Sequence, residues 1–130
     1  MASTTQSYSM WVQTTDNGTQ EIWGTSDSGT SGGIYILTRT GGKIYFYVRD
    51  TTTDTLQNVT YSESTVINDG SWHHIVLTFD GTNAWKLYID NTLMTLSDSV
   101  GTLTSSTRNL TIGNDFPFDG LVDEFGVWSK

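Results

Sequence analysis

From residue 7 onward, short runs of alternating apolar and polar side chains are cut apart by clusters of Gly, Asn, Asp and Ser. A period of two is the signature of a half-buried strand, and it predicts strands at 7–14, 20–26, 33–39, 43–49, 55–61, 72–80, 84–90, 92–96, 108–113 and 120–128. Helical periodicity is almost absent. The breaks carry turn chemistry: Thr40-Gly41-Gly42 supplies a tight glycine turn, and Asp80-Gly81 and Asp90-Asn91 tolerate positive φ, so the flanking runs read as antiparallel hairpins. Alternation then sorts side chains onto faces. Ile44, Phe46 and Val48 share one face and are predicted core, while Tyr45, Tyr47 and Arg49 share the other.

The same rule governs the two histidines, which stand side by side in GSWHHIVLTFDG. Trp72, His74, Val76 and Thr78 point one way and His73, Ile75, Leu77 and Phe79 the other, so adjacent histidines of an extended strand cannot converge on one ion. Neither sits in an HExxH pattern, and no GxSxG elbow occurs. Both are predicted to be structural, hydrogen-bonded or packed under a loop.

Composition narrows the class. Thr and Ser together outnumber the charged residues, Gly is frequent, and Tyr, Trp, Phe, Val and Ile fill the alternating runs, which is the make-up of an all-β domain. A length of 130 residues fits one domain, spanning 1–130. Without cysteine there is neither a disulfide framework nor thiolate chemistry. A net charge of -8 with only 6 Lys and Arg argues against nucleic acid or an anionic membrane as partner. No apolar run approaches the roughly 20 residues of a membrane span, and MASTTQSYSM lacks the charged and apolar regions of a signal peptide.

The succession GSWHHIVLTFDG, KLYIDN, NLTIGND and FDGLVDEFGVW, over roughly residues 8–128, resembles the laminin-G-like and pentraxin-like jelly rolls of the concanavalin A-like superfamily. The resemblance implies a two-sheet antiparallel β-sandwich and a binding role, to carbohydrate or to a cell or virion surface, often with Ca²⁺. Family domains commonly begin with a further strand upstream of the SYSMWV-like run. The expectation is therefore either a minimal version of the fold or an apolar edge covered by another chain, as a homo-oligomer or a larger assembly.

Candidate sites follow. By resemblance, the loop with Asp27 and the loop with Asn114 and Asp115 lie together at one end of the sandwich and are the candidate Ca²⁺ ligands, the bland alternative being that both aspartates cap their own turns. Trp23, running into a Ser-Asp-Ser-Gly loop, is a candidate to stack on a sugar ring. Tyr45 and Tyr47, with Tyr35 beside them, form either an exposed ligand-binding aromatic patch or a surface covered by a loop or the second sheet. Catalysis finds little support. Only Glu21, Glu63 and Glu124 are available, without the paired spacing of a glycosidase. Asp123 and Glu124 are expected to face opposite sides, with Asp123 partly buried among Leu121, Phe125 and Val127 and accepting backbone N–H groups.

The reading that follows is a non-enzymatic structural or binding module. Its first form is a phage or viral surface protein (decoration, fibre or tail) that attaches to a host surface or carbohydrate, with weak sites made useful by multivalency. Its alternative is a Ca²⁺-dependent lectin or adhesion domain belonging to a larger secreted protein. In either form the protein works at a virion surface or outside the cell.

Overall fold

The computed structural model describes residues 5–25, 33–49, 56–61, 65–81, 85–95, 109–114 and 116–129. Among the described residues nine strands follow one another: β1 (Gln6–Gln13), β2 (Gln20–Gly24), β3 (Gly33–Arg39), β4 (Lys43–Arg49), β5 (Leu56–Tyr61), β6 (His73–Phe79), β7 (Trp85–Ile89), β8 (Thr92–Leu93) and β9 (Leu121–Ser129). They form a five-stranded sheet in the order β8-β7-β6-β1-β9 and a four-stranded sheet in the order β2-β3-β4-β5, and every pairing is antiparallel. This is the two-sheet antiparallel β-sandwich expected from the alternation. The predicted run at 108–113 shrinks, within its described residues, to an isolated bridge between Thr111 and Gly24, and 92–96 shrinks to the two residues of β8.

Alternation operates as the pattern requires. Along β1, Tyr8, Met10 and Val12 are buried while Ser7, Ser9, Trp11 and Gln13 are not, and along β6 His73, Ile75, Leu77 and Phe79 are buried in the same way. The inward residues meet Ile22, Ile34, Ile36, Ile44, Phe46 and Val48 of the second sheet to make one core. Enclosing a Leu, Ile or Phe side chain contributes roughly 1.5–3 kcal/mol apiece, so this interior stabilises the domain without disulfides. Trp85 closes one end, stacked on Phe79 at 4.5 Å between ring centroids and tilted against Phe46 at 5.6 Å.

Two turns fix the register. Asp90 (φ 50°) and Asn91 (φ 64°) give the β7–β8 hairpin two successive left-handed residues, the type I′ geometry whose twist matches paired strands. At the β3–β4 turn Gly42 has φ 68°, and a Cβ there would stand 2.0 Å from Asn68 Oδ1. The carbonyl of Gly42 accepts the Ile67 N–H at 2.9 Å, so the backbone approach and the left-handed conformation both demand glycine.

Candidate functional site

The outward face of the five-stranded sheet carries a cleft of about 440 Å³ lined by Trp11, Trp72, Asp123 and Glu124. That volume lies within the roughly 300–1,000 Å³ usual for ligand sites. Trp11 occupies an outward position of β1, paired across the sheet with His74 of β6 on one side and Asp123 of β9 on the other. Its ring stacks on the His74 imidazole, with centroids 4.8 Å apart and planes 24° apart. His74 is itself held by Ser9, whose Oγ lies 2.7 Å from Nε2. One face of the Trp11 indole is thus fixed by the protein.

Trp72 stands just before β6 and is 41% exposed. The segment that delivers it is pinned at several points. Gln13 Nε2 donates to the Gly70 carbonyl at 2.7 Å, the Gly70 N–H donates to the Thr14 carbonyl at 3.1 Å, and Asp69 Oδ1 accepts the Ser71 N–H at 2.7 Å. His73 completes the brace, with Nδ1 2.7 Å from Asp90 Oδ2 and Nε2 3.0 Å from Asp69 Oδ1. Burial pulls the His73 imidazole down, but the hydrogen bonds and charges of Asp90 and Asp69 outweigh it and leave His73 above its ordinary value. Asp69 lies below the ordinary carboxylate value through the Ser71 N–H and then His73. Partial burial pushes Asp90 up, and the His74 N–H and His73 together more than offset it, so Asp90 also ends below.

The acidic pair reaches the cleft through a β-bulge. Register between β1 and β9 shifts between Ser9 and Trp11, and Glu124 takes φ 49°. The added residue breaks the alternation of β9. Val122 and Phe125, three positions apart, both pack against the core, and Asp123 and Glu124 both line the outward cleft. The expectation of opposite facing is corrected here, as is that of a partly buried Asp123. Asp123 is exposed, although its Oδ1 does accept a backbone N–H, that of Glu124 at 2.8 Å.

The other sequence candidates stand elsewhere. Trp23 is fully buried, stacked on Tyr8 at 4.6 Å and edge-on to Phe125 at 5.7 Å, so neither face is open to a sugar. The reason is tertiary: Thr111 and Phe116 bond to the edge of β2, where Gly24 and Thr111 exchange backbone hydrogen bonds and the Glu21 N–H donates to the Phe116 carbonyl at 2.7 Å. Burial likewise drives the neighbouring Tyr8 hydroxyl up to about 12. Tyr47 is buried and Tyr45 half-buried. The Arg39 guanidinium lies 5.3 Å from the Tyr45 ring centroid and 5.9 Å from that of Tyr47, and it donates to the Tyr47 hydroxyl. The pair thus flanks a cation, with Tyr47 closed off and Tyr45 only partly open. The side chain of Tyr35 lies outside the described residues.

Of the candidate calcium ligands, Asn114 is exposed, whereas Asp27 and Asp115 lie outside the described residues. Among the described residues no group of three His, Asp or Glu side chains is placed to hold a metal ion. Both histidines are spent on Asp69, Asp90 and Ser9, as the structural expectation requires. Trp11 and Trp72 are not singled out by strand alternation alone. The available signal is a tryptophan on the polar phase of SYSMWVQ, between Ser9 and Gln13, together with Trp72 on the phase of His74.

Comparison with known proteins bears on the fold. The Laminin_G_3 family profile, described as concanavalin A-like lectin/glucanases superfamily, matches residues 1–130. No curated protein matches the sequence. Among solved structures, the Ruminococcus gnavus IT-sialidase CBM40 bound to alpha2,3 sialyllactose superposes with a TM-score of 0.76 at 14% identity, covering 98% of this chain and 77% of that one. The receptor binding domain of botulinum neurotoxin D gives 0.71 at 18% identity, covering 98% of this chain and 34% of the other. Mouse laminin alpha1 chain domains LG4-5 give 0.64 at 15% identity, covering 97% and 36%. At such identities the likeness is one of fold.

Proposed function

The chain belongs to the Laminin_G_3 family of the concanavalin A-like lectin/glucanases superfamily, and from that premise we propose that it is a non-enzymatic carbohydrate-binding module working at an outer surface. The observation that carries the reading is the convergence of Trp11 and Trp72 with Asp123 and Glu124 in one open cleft. Indole faces stack on the apolar face of a pyranose, and carboxylates accept hydrogen bonds from its hydroxyls. The pinned loop and the His74 stack hold the aromatic pair in place before a ligand arrives, which lowers the ordering cost of binding. Structures of similar fold include a sialidase carbohydrate-binding module with sialyllactose and a toxin receptor binding domain, which supports a binding role.

Glycan-array screening followed by calorimetry tests the proposal. Trp11→Ala and Trp72→Ala should each weaken binding by tenfold or more, the loss of roughly 1.4 kcal/mol of stacking. Binding unchanged in both variants would remove the cleft from the reading. Polysaccharide hydrolysis abolished by Glu124→Gln would turn the module into an enzyme. Calcium, with Asp27, Asn114 and Asp115 as its ligands, is tested by adding a chelator, which should abolish binding if those residues serve the site.

A second reading, a subunit of a larger surface assembly such as a virion, draws support from β9. This strand forms one edge of the five-stranded sheet among the described residues, and Leu121, Val127 and Trp128 on it are exposed. Exposed apolar edges favour association. Size-exclusion chromatography with light scattering tests it: a strictly monomeric protein at high concentration would count against the assembly.

A further inference from the structure

We propose that the cleft selects an amino sugar, bound through its protonated amine, and rejects sialic acid and other anionic glycans; this rests on the carbohydrate-binding reading above. Among the described residues, both polar side chains lining the cleft are carboxylates, Asp123 and Glu124, and both apolar ones are the indoles of Trp11 and Trp72. Among the described residues no Lys or Arg lines it. Two aromatic faces with adjacent carboxylates make the chemistry that recognises an ammonium group: the ring quadrupole attracts the cation, and a charged acceptor shortens and strengthens its hydrogen bond. The same carboxylates would face the carboxylate of a sialic acid at close range, and like-charge juxtaposition excludes a ligand as effectively as a clash.

The surroundings reinforce the sign. A chain of net charge -8 attracts cations at long range and repels anions. The described basic side chains stand elsewhere: Arg39, which lies over Tyr45 and Tyr47, and Lys43 are on the other sheet, and Lys86 lines a separate hollow with Phe79 and Asp80. The bulge at Glu124 matters to this selectivity, because regular alternation would deliver only one carboxylate to the cleft. A neutral sugar would gain hydroxyl hydrogen bonds from the same oxygens but not the cation's attraction to both rings and charges.

Calorimetry at mildly acidic pH, where the amine is protonated, distinguishes the possibilities with four probes: a β-1,4-linked glucosamine trisaccharide, its N-acetylated counterpart, a glucose trisaccharide and sialyllactose. The glucosamine trisaccharide should bind about tenfold more tightly than the N-acetylated and glucose compounds, and added salt should narrow that gap. Sialyllactose should show no binding. Asp123→Asn, which keeps the acceptor for the Glu124 N–H, and Glu124→Gln should each lower glucosamine affinity by more than glucose affinity and so reduce the glucosamine preference. Equal affinity for all three neutral and cationic probes, or tightest binding of sialyllactose, would overturn the amino-sugar inference and leave the carbohydrate reading standing. Failure of every probe to bind, with no shift of the Trp11 or Trp72 indole resonances, would overturn both.

Discussion

His73 and Asp90 are joined through Nδ1 and Oδ2 at 2.7 Å, and the other oxygen of the same carboxylate accepts the His74 N–H at 2.9 Å. One aspartate of a hairpin turn therefore fixes both the imidazole and the backbone at the start of the strand that follows Trp72.

This brace gives stability a defined dependence on pH. His73 is raised, so its contribution is complete below the ordinary imidazole value of about 6.5 and is lost as pH rises through the raised folded value. Asp69 and Asp90 are lowered, so theirs is complete above the ordinary carboxylate value of about 4 and is lost as pH falls through the lowered values. Thermal melts should place the highest Tm between those two limits. His73→Gln should flatten the decline on the alkaline side, and superimposable profiles for the two proteins would remove the brace as its cause.

Tryptophans that look alike in the sequence should behave oppositely. Trp23→Ala opens a cavity in a sealed interior and should cost about 3–5 kcal/mol in urea unfolding. Trp72→Ala, at a partly exposed site, should cost under about 1 kcal/mol yet lose sugar binding. Comparable destabilisation by the two would contradict the assignment of interior and cleft.

Glu124 holds a left-handed backbone that glycine adopts without strain. Glu124→Gly should therefore raise stability by about 0.5–1 kcal/mol while weakening ligand binding, whereas Glu124→Ala should weaken binding with no gain. Chemical denaturation of both variants, with calorimetry beside it, separates the two effects.

At Gly42 the strain runs the other way. Gly42→Ala combines positive φ with a clash against Asn68 and should cost at least about 1 kcal/mol. Adding Asn68→Ala should recover only the steric part of that loss. Full recovery would mean that backbone conformation plays no role there.

Much of this architecture is legible in the order of residues, because alternation is a local rule. The core phase of 43–49, the opposed histidines and the glycine and Asp-Asn turns all follow from residue spacing. What spacing cannot reveal is set by contacts distant along the chain. Trp23 reads from its neighbours as a candidate to stack on a sugar, but Thr111 and Phe116 bond to the edge of β2 and the ring is buried. Tyr47 reads equally as half of an open patch or as a covered ring, and long-range packing decides it: the ring is buried with its hydroxyl bonded to Arg39. Asp123 and Glu124 read as opposed because nothing in LVDEFGVW marks a left-handed glutamate, a conformation that pairing with β1 imposes.

In a regular strand, core and surface are locked in phase, so no change of length on the outer side leaves the inner side intact. The bulge at Glu124 releases that lock: Val122 keeps its place on one side of it and Phe125 on the other, while the two residues between them are free of the interior. The cleft-facing chemistry of β9 can therefore be rewritten, in the laboratory or by descent, without asking the core to repack.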